Sequence, residues 1–94
     1  MSAVIRIGDL SAGHCFPPFP LLQGSSNVFI NGLAVGRITD PYPTHTCPPA
    51  SHNAVQSSGS SSVFINGLAV GRIGDSISCG DICANGSPNV FAGG

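Results

Sequence analysis

The chain repeats itself at a shift of 35 residues. Gly24–Asp40 reads GSSNVFINGLAVGRITD and Gly59–Asp75 reads GSSSVFINGLAVGRIGD, so that only Asn27/Ser62 and Thr39/Gly74 differ. Identity at this level marks one structural unit used twice. Within each copy Val-Phe-Ile is followed by Asn-Gly and then Leu-Ala-Val. Asn and Gly tolerate the positive φ that both positions of a type I′ turn require, so each copy predicts a β-hairpin. Gly36 and Gly71, just before the repeated Arg, mark a bulge or a close approach of backbone.

A third copy is split between the ends. Gly86-Ser87-Pro88-Asn89-Val90-Phe91 matches the opening of a unit, and Val4-Ile5-Arg6-Ile7-Gly8-Asp9 matches its close. Residues 1–94 are therefore expected to form one domain, with units at 24–40, 59–75 and 86–94 joined to 3–9. Pairing the last strand with the first would close the units into a pseudo-threefold ring and cover sheet edges that an open array exposes. The alignment places Arg6, Arg37 and Arg72 at one equivalent position and Asp9, Asp40 and Asp75 at another. Weak surface ion pairs are the plain reading; the preferred one is that Arg or Asp fixes the following turn by bonding backbone. Phe29, Phe64 and Phe91 are also equivalent, and core packing is their expected use.

Thirteen Gly and eight Pro among 94 residues interrupt any segment long enough for a helix. The expected class is all-β with long Gly/Pro-rich loops. A domain of this size buries only roughly 60–65% of the surface its unfolded chain exposes, so a staple besides the core is expected. With three Arg, no Lys and a net charge of −1 there is no basic stripe for nucleic acid. No charged leader precedes an apolar run, and no stretch of about 18 apolar residues occurs. Synthesis in the bacterial cytoplasm is the expectation, and in that compartment metal ligation is a better use than disulfides for some of Cys15, Cys47, Cys79 and Cys83.

Potential ligands fall in register with the repeat. His14 and His45 each lie five residues after their Asp, and Cys79 four after Asp75. In a closed ring the three converge near its axis, where His52 of the long second loop can complete the set. Three imidazoles and one thiolate suit a closed tetrahedral Zn²⁺ site, with Fe²⁺ as the other candidate. Cys47 or Cys83 ranks second as the fourth ligand; Cys15, Cys47 and Cys83 otherwise read as small buried residues. Four ligands that can close the shell, with Asp81 the only spare carboxylate nearby, argue against an enzyme. A zinc- or disulfide-stabilised secreted binding module is the alternative.

Asn-Gly-Leu-Ala-Val-Gly-Arg-Ile-(Thr/Gly)-Asp, present twice, together with Ala3-Val4-Ile5-Arg6-Ile7-Gly8-Asp9, resembles the proline-alanine-alanine-arginine (PAAR) repeat proteins that tip the spikes of type VI secretion systems and contractile phage tails. Ala34-Val35-Gly36-Arg37, Ala69-Val70-Gly71-Arg72 and Ala3-Val4-Ile5-Arg6 stand in place of the literal motif and keep its Arg. The resemblance implies a cone whose base sits on a trimeric β-helical spike, the valine-glycine repeat protein or the phage central spike, for membrane puncture. It also implies a metal-stapled apex held by His14, His45, His52 and Cys79. One copy per trimer is expected, and a chain this short has the look of a bare tip without a fused toxin.

Overall fold

Both Asn-Gly pairs occupy tight turns with left-handed backbone: φ is 56° at Asn31, 77° at Gly32, 56° at Asn66 and 78° at Gly67. A two-residue link of this geometry follows the natural twist of its strands. The computed structural model describes residues 2–13, 17–47 and 50–93, and no helix occurs among them. In chain order the strands are β1 (Ser2–Ala3), β2 (Phe29–Ile30), β3 (Leu33–Ala34), β4 (Pro41–Cys47), β5 (Ala50–Val55), β6 (Phe64–Ile65), β7 (Leu68–Ala69) and β8 (Phe91–Ala92). The Asn-Gly turns join β2 to β3 and β6 to β7, both antiparallel. β8 pairs antiparallel with β1 across the two ends of the chain. Its register, Ala3 opposite Phe91 and Ser2 opposite Ala92, repeats that of Ala34 opposite Phe29 and Leu33 opposite Ile30.

The three units bond to one another in cyclic order. Isolated antiparallel bridges join Arg6 to Val35, Arg37 to Val70 and Arg72 to Val4. The N–H groups of Ile7, Ile38 and Ile73 donate to the carbonyls of Ala34, Ala69 and Ala3 at 2.8, 2.9 and 2.9 Å. Between these, Ile5, Gly36 and Gly71 form a closed circuit: Ile5 N–H donates to Gly71, Gly71 to Gly36, and Gly36 back to Ile5, at 3.0, 2.9 and 3.0 Å. Each unit thus satisfies the backbone of the next, so the central strand segments leave no free edge between units.

Two hydrophobic clusters meet at this circuit. Val4, Val35 and Val70 are buried with Ala92 beneath the hairpins, flanked by Val28, Ile30, Ile65 and Val90. Ile5, Phe19, Leu21, Tyr42, Ala54, Ile77 and Cys83 form the other among the segments that follow the Asp residues, and Phe19 meets Tyr42 edge to face at 5.4 Å. The molecule is elongated, 37 × 24 × 21 Å.

Two expectations are corrected. Phe29, Phe64 and Phe91 are not core residues; they are 58%, 58% and 50% exposed. Side chains alternate along a strand, and because Val28 and Ile30 pack against the valine cluster, the Phe between them faces outward. The long second loop is instead a hairpin, β4 with β5, the longest ladder in the molecule, with an irregularity between Tyr42 and His45. Pro41 and Pro43 are compatible with it because in a two-stranded ribbon every strand has a free edge.

Thr39 carries a local strain. Its φ is 74°, a left-handed value that a β-branched residue rarely takes, whereas Gly8 (φ 86°) and Gly74 (φ 89°) fill the equivalent position in the other units. Thr39 is exposed, so its methyl and hydroxyl groups gain little from packing. Relief of about 1–3 kcal/mol of strain outweighs the extra chain entropy of Gly, and Thr39→Gly is expected to stabilise the domain by about 0.5–1 kcal/mol. Thermal unfolding checks this: an unchanged or lower midpoint contradicts it.

Candidate functional site

The repeated Arg and Asp build a corner in each unit. In all three, the guanidinium grips the carboxylate through Nε and Nη2 at 2.9–3.0 Å, while the Arg backbone N–H donates to the same carboxylate at 2.8–2.9 Å. Nη2 also donates to the carbonyl of Gly86, Gly24 or Gly59, which opens the unit. The expectation that these residues fix a turn through backbone is met, and the ion pairs are largely buried. Hydrogen bonds donated to Asp9, Asp40 and Asp75 push the guanidinium pKa values up, with burial opposing. Two parallel bonds to a planar fork make a rigid joint that Lys cannot reproduce.

Each Arg reaches the next unit as well. Nη1 of Arg6 donates to Asn31 Oδ1 at 3.1 Å, and that of Arg37 to Asn66 Oδ1 at 3.0 Å; Arg72 finds the backbone carbonyl of Gly93 at 3.0 Å. The buried hydroxyls of Ser87, Ser25 and Ser60 donate to the same three acceptors. Asn31 Nδ2 donates to Asn89, and Asn66 Nδ2 to Asn27, both at 2.9 Å. Sequence reading assigned the Asn residues to turns only. The available signal was the recurrence of Ser25, Ser60 and Ser87 at one repeat position, which a solvent-exposed loop residue does not need.

The segments carrying the expected metal ligands are tied together beyond the second cluster. His14 lies outside the described residues, but Gly13 N–H donates to Asp81 Oδ2 at 3.0 Å and Ser11 bridges Cys83. Backbone pairing sets His45 directly opposite His52 in the β4–β5 hairpin; their side chains lie outside the described residues. β5 runs into the segment of Cys79: Ser78 N–H donates to Val55 C=O and Val55 N–H to Ser78 Oγ, each at 2.9 Å. Cys79 is a free, half-buried thiol packed against the second cluster, in a turn closed by Gly80 N–H on Ile77 C=O at 2.9 Å. Among the described residues no group of three His, Cys, Asp or Glu side chains forms a site complete in itself.

Cys83, the second-ranked ligand, is engaged elsewhere. It is 2% exposed, its Sγ donates to Gln56 Oε1 at 3.0 Å and lies 3.4 Å from Tyr42 Oη, which itself donates to Gln56 Oε1 at 2.8 Å. Burial pushes the Cys83 thiol and the Tyr42 phenol above their ordinary values. Ligation needs the thiolate, which this environment opposes. Cys47 and Cys15 have side chains outside the described residues. For an acid whose folded pKa is raised, the unfolded chain loses its proton first, so stability is complete below the unfolded value and falls as pH rises above it. Alkaline destabilisation is therefore expected from about pH 8.5–9, the ordinary thiol range, and Cys83→Ser should delay its onset toward the phenol value of about 10. Denaturant titrations at stepped pH read this directly; identical onsets in both proteins would contradict it.

The PAAR motif family model matches residues 19–84, which include both complete units with the turns and ion pairs described above. A search of curated proteins finds no match.

Proposed function

Because this chain belongs to the PAAR motif family, the spike-tip proteins of type VI secretion systems and contractile phage tails, we propose that one copy caps the blunt end of a trimeric β-helical spike, the valine-glycine repeat protein or the phage central spike. The observation that carries this reading is the cyclic order of the three units, each presenting an equivalent exposed phenylalanine, Phe29, Phe64 or Phe91. A single chain that offers three similar faces can meet three identical chains with matched contacts. Large exposed aromatics in a monomer are characteristic of binding surfaces, where they supply contact area at low entropic cost.

The opposite role falls to the segments that follow the Asp residues. His14, His45, His52 and Cys79 would hold Zn²⁺, or Fe²⁺, at the apex. Directly opposed residues of an antiparallel pair share a face, which suits His45 and His52 to one ion. The metal supplies cross-linking and no reaction: it joins the three segments into a tip that can bear load. The role is structural, with the chain made in the bacterial cytoplasm, assembled at the spike and brought to a target membrane only on puncture.

Native mass measurement of a mixture with the trimeric spike tests the reading. One copy per trimer is the expected stoichiometry; three copies, or no complex, would contradict it. Metal analysis of the same protein should give about one zinc or iron per chain, greatly reduced in Cys79→Ala. A full metal complement in that variant removes Cys79 from the site.

A further inference from the structure

Asn-Gly is the dipeptide most prone to spontaneous deamidation, because Gly leaves its nitrogen sterically open to the preceding side chain. This chain carries two such pairs, Asn31-Gly32 and Asn66-Gly67, and all four residues are exposed to water. We propose that Asn31 and Asn66 are latent deamidation sites, held inactive by the left-handed turn and by side-chain bonds from the neighbouring unit.

In the reaction, the backbone nitrogen of Gly32 gives its proton to solvent hydroxide and attacks Cγ of Asn31. The Cγ–Nδ2 bond breaks, ammonia leaves with a proton taken from water, and a five-membered succinimide remains. Water then opens either carbonyl, giving aspartate or isoaspartate. Closing the ring requires the Gly nitrogen and the Asn Cβ on the same side of the Asn Cα–C bond. With φ at 56°, Asn31 and Asn66 lie in the left-handed region, where ψ is about +47°. There the following nitrogen lies nearly opposite Cβ. The reaction cannot start until the turn opens.

What holds each turn closed is the ring itself. Asn31 Oδ1 accepts from Arg6 at 3.1 Å and Ser87 at 2.6 Å while its Nδ2 donates to Asn89 at 2.9 Å. Asn66 repeats this with Arg37 at 3.0 Å, Ser25 at 2.7 Å and Asn27 at 2.9 Å. The polarisation of the carbonyl by Arg and Ser would favour attack only at a geometry that the closed turn forbids. The third corner is free of this chemistry, since the backbone carbonyl of Gly93 replaces the Asn amide. Isoaspartate adds a backbone atom to the turn, so reaction at Asn31 would displace the Ile30–Leu33 pairing.

The full-length protein is incubated in mildly alkaline buffer, folded or in denaturant, and each site is followed by peptide mapping for the amide-to-carboxylate mass gain and isoaspartate. Folding should slow both sites at least about tenfold, because reaction is limited to the open fraction. Asn89→Ser and Asn27→Ser are gentle probes, since Ser62 occupies the equivalent position in the remaining unit. Loss of one bond should accelerate Asn31 alone in Asn89→Ser and Asn66 alone in Asn27→Ser, by about fivefold. Equal rates in folded and denatured protein would overturn the proposal. So would variants that accelerate both sites alike, or neither.

Discussion

A chain truncated after Asn85 loses the fold of the whole domain, not only its last hairpin. Residues 86–93 supply the opening part of the third unit, which the N-terminal segment completes. β8 pairs with β1, Val4 N–H donates to Val90 C=O at 3.0 Å, and Ser87 N–H donates to Val4 C=O at 2.8 Å. Ala92 and Val90 cover the cluster of Val4, Val35 and Val70. Two ion-paired arginines also lose acceptors, Arg6 at Gly86 and Arg72 at Gly93. Removing the segment strips several backbone bonds of about 1 kcal/mol each and exposes buried valines worth about 1.5–3 kcal/mol apiece. A domain of this size has about 5–15 kcal/mol in total, so most of it disappears. Circular dichroism and thermal melts of the truncated protein should show loss of cooperative unfolding. Adding the missing segment back as a peptide should restore part of it. A truncated protein with an unchanged midpoint would overturn the closed ring.

That ring was legible in the sequence because the end segments matched the opening and the close of the two intact units. The Asn-Gly turns were legible for a local reason: few other residue pairs accept two successive positive φ values. The Phe orientation was not, because hydrophobicity places Phe inside while strand alternation, fixed by which neighbour is buried, places it outside. The β4–β5 hairpin was hidden by Pro41 and Pro43, which read as loop until the two-stranded pairing is known. Registration against the repeat predicts that the segments of His14, His45, His52 and Cys79 converge; hydrogen bonds join Gly13 N–H to the Asp81 side chain, and Val55 to Ser78. No local spacing motif predicts this, since the expected ligands come from three separate segments. The partners in the polar circuit of Asn31, Asn66, Ser25 and Ser87 were not legible because its bonds form between units; only the recurrence of Ser25, Ser60 and Ser87 at one repeat position hinted at it.

Gly71→Ala is expected to be severely destabilising in the native sequence and nearly tolerated when Ile5 is shortened. The alignment sets Ile5 against Gly36 and Gly71, and the structure gives the reason for the asymmetry. The three residues form the central backbone circuit, and the single Ile5 side chain, 1% exposed, fills the space that the two glycines leave. A Cβ on Gly71 would stand 2.6 Å from Ile5 Cδ1 and 2.9 Å from Cγ1, with Gln56 Cδ next at 3.3 Å. Nothing buried this tightly yields without disturbing the circuit, so the added methyl should cost about 1–3 kcal/mol. Ile5→Ala alone opens a cavity and should cost about 2–5 kcal/mol. In the double variant the new methyl enters the vacated space, and the two effects should fall short of their sum by about 1–3 kcal/mol. Gly36→Ala supplies the contrast: its Cβ would also meet Leu21 Cδ2 at 2.5 Å, a contact that shortening Ile5 does not remove. Rescue by Ile5→Ala should therefore be strong at Gly71 and weak at Gly36, as measured by denaturant unfolding of the full set. Strict additivity at Gly71 would show that Ile5 is not the plug of the ring.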